Sequence, residues 1–452
     1  MATEQLMKEI FEAGKAAGFG DMEVYIDNSK SFETMCFEGE ITKYALSEEA
    51  GLAFRGIYSN GKMGYAYTEL MAATAIPQLI ENAKSNAEVV ETEEEVFIYE
   101  PKGEYKQLSL YNPAYEEVTN EQKLDFILEA ERHAKSLDER VFRTAYNLFM
   151  EGASDVQIRN TKGLDVSQKN NYAVAYFMVM VKDGGDQKTA AKYIMGNDFK
   201  VFDPKKLAEQ AVEEALGKLG ASPVASKAYP IILQNKTAAD LIKVFSPNFS
   251  AERVQKDLSQ LKGKLGETVA NPIVTVLDDP HLENGIESRS FDGEGVATKP
   301  NALVEEGVLK TFMHNLKTAN VDGVEPTGNG VKASFKSSVG IAPSNFYVKP
   351  GADSFETMIG RIENGLYITE LQGLHSGANP VSGDFSLQAN GFLIKNGKID
   401  RGVNQITVAG NFYTLLTDIV NIGDDLKFGL PGGGSVYGAP TLHIRELVVS
   451  GE

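Results

Sequence analysis

Five histidines, one cysteine and a few glycine-rich turns are where this 452-residue chain could do chemistry. A zinc hydrolase helix needs two imidazoles on one face with an acid beside them, the spacing of HExxH. His133, His281, His314, His375 and His443 are too far apart for that, so no metal site is read from local spacing. His375 and Ser376 stand side by side in residues 371–386, LQGLHSGANPVSGDFS. The run is close to a G-x-S-x-G nucleophile turn but has Leu374 two places before the serine. Neighbours on a strand also face opposite sides, which argues against a catalytic pair. We read this run as a turn whose glycines supply special backbone angles. His375, Ser376, Asn379 and Asp384 are its candidates for meeting a peptide or a partner surface. No residue is assigned as catalytic.

Three other features are set aside. Cys36 lies in the apolar segment Phe32–Phe37, where a buried thiol is inert packing. The loop PGGGSVYG at 431–438 lacks the Lys-Ser/Thr ending of a phosphate loop and reads as a rim loop. Phe291-Asp292-Gly293-Glu294-Gly295 carries two carboxylates and reads as a solvated turn.

The elements that must position these residues fall into two halves. A helix from about Thr3 puts Leu6, Met7, Ile10, Phe11 and Ala17 on one face. Strand-like segments follow at 22–26, 32–37 and 51–57, and Asn60-Gly61 turns the chain into 63–68. A second helix carries Leu79, Ile80, Ala83 and Ala87. From Thr119, which opens a capping box with Gln122, the same order returns. Strands are expected at 141–149, 155–159, 164–167 and 172–181, then a turn at Asp183-Gly184-Gly185 and a strand at 188–193. Asp203 and Pro204 start the closing helix. This suggests a duplicated α-β-β-β-α module, about 1–90 and 119–217, within an N-terminal domain of residues 1–220. The acidic run Glu91–Glu95 reads as a solvated linker. The small residues and prolines of 217–230 mark the boundary. Residues 230–452 are strand-rich, with hairpin turns at Glu306-Gly307 and Asn396-Gly397. Helices are expected there at 237–245, 251–261, 354–362 and 412–421. The fold class is α+β, the second half a largely antiparallel sheet or open barrel.

Charge narrows the partners. The formal net charge is −19, from 44 basic and 63 acidic residues, with no basic patch, which argues against nucleic acid. No apolar run reaches the length of a membrane helix, and the N-terminus lacks a signal-peptide pattern. With a single cysteine, the expectation is a cytoplasmic protein.

Several runs together resemble the TldD/PmbA family, whose members have been called modulators of DNA gyrase. They are FDGEG at 291–295 with LVEEGVLK at 303–310, and TGNG at 327–330. GLHSG at 373–377 with SGDFS at 382–386, NIGDDL at 421–426 and GAPTL at 438–442 complete them. NTKG at 160–163 resembles the family's Asn-Ser-x-Gly turn. The resemblance covers essentially the whole chain. It implies a cytosolic metallopeptidase system acting on small or unfolded peptides. In it a TldD branch carries zinc on an HExxxH helix early in the second half, completed by a cysteine near the C-terminus. A PmbA (TldE) branch lacks that site and pairs with it. Here the corresponding helix reads TAADLIKVF at 237–245, without histidine or glutamate, and 430–440 holds no cysteine. The chain therefore resembles the PmbA/TldE branch. The expectation is a metal-free subunit, without cofactor of its own, paired with an HExxxH-bearing paralogue or with itself. The alternatives are a standalone homodimeric scaffold or regulator, and an independent peptidase with a site near His375.

Overall fold

The computed structural model describes residues 2–91 and 95–452. It is mixed α+β, 25% helix and 41% strand. The acidic linker expected at Glu91–Glu95 falls largely on residues 92–94, outside the described residues.

The first half is a duplication. Module one runs α1 (Ala2–Ala16), β1 (Phe19–Phe37), β2 (Glu40–Tyr58), β3 (Met63–Thr68) and α2 (Ile76–Val89). Module two runs α3 (Asn120–Leu137), β4 (Val141–Asn160), β5 (Asp165–Asp183), β6 (Asp186–Gly196) and α4 (Pro204–Gly217). The six strands form one antiparallel sheet, ordered β3-β2-β1-β4-β5-β6. The two first strands meet at its centre, from Glu23 opposite Asn160 to Cys36 opposite Asn147. Each module has its own helix-covered core. One contains Met7, Ile10, Phe54, Leu79 and Ile80, the other Phe126, Ile127, Phe149, Phe177 and Leu207. Side chains alternate along a strand. Tyr25 and Ala53 therefore leave the helix side and pack with Phe291, Leu316 and Phe335 of the second half.

The strands are longer than the sequence pattern predicts. Segments 22–26 and 32–37 are one 19-residue strand, β1. Segments 141–149 and 155–159 are the single β4, and 164–167 and 172–181 the single β5. The hydrophobic alternation lapses at Asn28–Ser31, yet both neighbours stay paired there, with Lys30 opposite Glu48 and Ala153. A hairpin at Glu38-Gly39 also escapes the sequence reading. Both residues have positive φ, 54° and 79°, as a two-residue turn of this hand needs.

The second half builds on a barrel. Strand β7 (Lys227–Leu233) lies beside β14 (Asn364–Gln372) on one flank and β20 (Leu442–Ser450) on the other. The order continues from β14 through β15 (Asp384–Lys395) to β16 (Lys398–Asn411). Pairing of Thr407–Ala409 with Val448–Ser450 joins β16 to β20 and closes the five strands, which settles the expected sheet or open barrel as a closed barrel. A mixed sheet, β10-β9-β8-β13-β19-β18, packs against the barrel. Its strands are β8 (Val276–Asp278), β9 (Asn301–Glu305), β10 (Val308–Leu309), β13 (Asn345–Val348), β18 (Lys427–Phe428) and β19 (Val436–Ala439). The two-residue strands β11 (Gly330–Val331) and β12 (Gly340–Ile341) pair with each other. β17 (Ile419–Ile422) pairs antiparallel with β20.

Between the barrel and the mixed sheet lies α5 (Asn235–Phe245), its Leu241 and Phe245 in the largest core. The Phe245 ring stacks on Phe412 at 4.6 Å. The expected helix 251–261 is only α6 (Ala251–Gln255). The expected 412–421 helix ends at Asp418 as α9 (Phe412–Asp418), because Ile419 turns extended into β17. No helix among the described residues is long and apolar enough to cross a membrane.

Candidate functional site

The family resemblance points to the helix after β7 and the glycine-rich loop near the C-terminus, and the fold brings these together. Asp425 braces the start of α5. Asn235 Nδ2 donates to the Asp425 main-chain oxygen at 3.1 Å and to Oδ2 at 3.0 Å. The same carboxylate accepts the Thr441 main-chain N–H and hydroxyl, both at 2.7 Å. NIGDDL and GAPTL, two of the runs that carry the resemblance, are thus the clamp that fixes this helix against β19.

The apolar side of α5 is buried. Its other side presents Lys236, Asp240 and Lys243, spaced so that all three share a face. That face opens on a cavity of about 200 Å³, closed on one side by Tyr176 and Tyr193 of the six-stranded sheet and on another by Leu430 and Tyr437. The Tyr193 hydroxyl donates to the Phe428 main-chain oxygen at 2.6 Å, tying the sheet to the loop. Burial raises the Asp240 pKa above its ordinary value, while Lys236 and Lys243 oppose that shift. Zinc needs several deprotonated donors converging on one point. Here a single carboxylate stands between two ammonium groups, and an ammonium repels a cation. The residues present do not fit the metal. Among the described residues no group of three His, Cys, Asp or Glu side chains is gathered anywhere else as a metal would need.

The His375 loop is elsewhere, between β14 and β15 on the barrel. His375 and Ser376 are exposed. The Ser376 hydroxyl donates to the Gly373 oxygen at 3.3 Å, not to the imidazole. Asn379 Oδ1 accepts the Val381 N–H at 3.0 Å, and Asp384 accepts from Asn411 Nδ2 at 2.9 Å. Gly373 and Gly383 take φ of 79° and 83°, so the glycines do supply the special angles. Three of the four residues lie in the loop and Asp384 opens β15 at its end, and three of their contacts hold it in shape.

The other histidines stay dispersed. His133 bonds Glu209 at 2.9 Å, His281 bonds the Thr298 hydroxyl at 3.1 Å, and His314 is buried.

The sequence reading missed one charged centre. The turn at 291–295 is not solvated. Asp292 and Glu294 are 2% and 5% exposed, pressed against the first-half sheet. Asp292 accepts the N–H groups of Glu294, Val296 and Gly330 at 2.8–3.0 Å. Glu294 accepts the Leu316 N–H at 2.8 Å and faces Arg55 at 3.5 Å. Arg55 also forms a two-bond fork with Glu23, at 2.7 and 3.1 Å. Lys332 completes the group, its ammonium 4.5 Å from the Tyr25 ring centroid. Burial, then Glu294, pushes the Asp292 carboxyl up to about 7. Burial, then Arg55, lowers Lys332 to about 8. Burial works against the Arg55 charge, but Glu23 and Glu294 outweigh it and raise its pKa. The signal in the sequence was the pairing of two acids with glycines, which fits a tight buried turn as well as an exposed one. Its basic partners lie far away in the chain.

Models of the PmbA/TldA metallopeptidase domain 1, central domain and C-terminal domain match residues 22–87, 113–219 and 226–451 in turn. The chain belongs to the PmbA/TldD family. A crystal structure of a candidate modulator of a DNA gyrase from Thermotoga maritima superposes with a TM-score of 0.91. It is 33% identical, over 99% of this chain and 100% of the other. TldE from Thermococcus kodakarensis also gives 0.91, over 99% and 100%, and at 24% identity that likeness is one of fold. A metalloprotease of Methanothermobacter thermautotrophicus is 28% identical over 94% of each chain.

Proposed function

We propose that this chain is the metal-free subunit of a TldD/PmbA-type peptidase. In that role it holds small or unfolded peptides and positions an HExxxH-bearing paralogue that carries the zinc. The observation that carries the reading is α5. It stands where the family's zinc helix is expected, yet it presents Lys236, Asp240 and Lys243 to the cavity, a set without the imidazoles and neighbouring acid that a zinc helix supplies.

The test is peptidase activity of the chain alone, of the paralogue alone and of the two mixed. The expected result is no cleavage by the chain alone and more in the mixture than in the paralogue by itself. Chelator-sensitive cleavage by the isolated chain would overturn the reading.

A further inference from the structure

The cavity beside α5 holds an excess of positive charge. Lys236 and Lys243 line it. Lys427 stands just behind, its ammonium 5.0 Å from the Tyr193 ring centroid. Burial, then the neighbouring Lys192 and Lys236, lowers the Lys427 pKa, the mark of ammonium groups crowded together. The nearby acids are already engaged. Glu214 bonds Lys192 and lies 3.0 Å from Lys218, and Glu370 lies 3.6 Å from Lys218. Among the described residues Lys236, Lys243 and Lys427 form no ion pair, and Asp240 is the one acid on the cavity wall. Two ammonium groups thus share the wall of a half-enclosed space with one carboxylate, and a third stands behind it. Keeping like charges together without a counter-ion is unfavourable unless a ligand brings one.

We propose that this cavity binds the carboxylate of a peptide, with Lys236 and Lys243 as direct contacts and Lys427 adding charge from behind. Tyr176 lines the sheet side. At about 200 Å³ the space is smaller than an ordinary small-molecule site, which suits one terminal residue and not a longer stretch. Charged contacts to a carboxylate are strong and directional, so the pocket would fix one end of an extended chain. The place that holds metal in one branch would hold the substrate's charge in this one. The choice of ligand rests on the peptide-handling reading above.

The test uses the full chain alone, with a fluorescein-labelled hexapeptide in three forms: free acid, C-terminal amide, and amide with a terminal glutamate. Binding is read by anisotropy. The free acid is expected to bind about tenfold tighter than the amide. The Lys236→Met/Lys243→Met pair should abolish the difference, and Lys236→Arg/Lys243→Arg should retain it. If the glutamate amide binds as tightly as the free acid, the pocket takes a carboxylate from either source. If it does not, the pocket is specific for the chain terminus. Equal affinity for acid and amide, a difference that survives the methionine pair, or no binding of any form would overturn the proposal. The partner-subunit reading is judged separately, by activity of the mixture.

Discussion

Two charged regions of this molecule are built in opposite ways. Around Arg55 opposite charges meet: Glu23 forks onto the guanidinium, Glu294 faces it, and three main-chain N–H groups cap Asp292, while Lys332 rests on the Tyr25 ring. Beside α5, Lys236 and Lys243 share the cavity wall with one acid, Lys427 stands behind it, and Lys243 and Lys427 lean on tyrosine rings. Buried charge in the first region is consumed by joining the two halves of the chain. In the second it remains available. A closed charge network reads as architecture and an unbalanced one at a cavity reads as a place for a ligand.

The sharpest way to break this comparison is to remove one member from each region. Arg55→Met removes the guanidinium that pairs with Glu23 and faces Glu294, and should cost ~3–5 kcal/mol in urea unfolding. Lys236→Met should change stability by no more than ~0.5 kcal/mol, because its side chain forms no ion pair. Similar losses from both would contradict the distinction.

A second prediction uses pH. Asp292 titrates at about 7 in the folded protein against an ordinary 3.8. The folded chain keeps that proton longer, so the contribution to stability is full at low pH and is lost as pH rises to about 7. Lys332 titrates at about 8 against an ordinary 10.5. The unfolded chain binds more protons between those values, so stability is regained over that window. The centre therefore stabilises least between about pH 7 and 8. Urea midpoints at pH 4.5, 7.5 and 9.5 check this. Asp292→Asn should flatten the acid limb and Lys332→Met the alkaline one, and unchanged limbs would mean the two groups titrate normally.

Smaller effects sharpen the picture. Burial, then the bond to Glu131 at 3.0 Å, raises the Cys36 thiol to about 12. A thiol reagent at pH 8 should label it only after unfolding. His375→Ala with Ser376→Ala should leave the activity of the mixed subunits within about twofold. A loss of about a hundredfold or more would favour an independent site in that loop.

Much of the fold was legible because its signals are local. The capping box at Thr119 and Gln122 is present, as are the positive-φ pairs Glu306-Gly307 and Asn396-Gly397. The duplication is visible in the repeated order of helix and strand. Strand length was not legible, since polar stretches such as Asn28–Ser31 are held by pairing to both neighbours, which no local pattern encodes. Barrel closure likewise depends on β16 meeting β20 across the chain. At the site, the absence of a metal motif in α5 was readable. The cavity was not, because Tyr176, Lys236, Lys427 and Tyr437 become neighbours only when the first-half sheet, α5 and the loop before β19 assemble.

The most direct measurement is zinc per chain, by elemental analysis after gel filtration, for this chain alone and for its complex with the HExxxH-bearing paralogue. The account predicts no zinc on the isolated chain and one zinc per two-subunit complex. One zinc retained by the isolated chain through dialysis would contradict it.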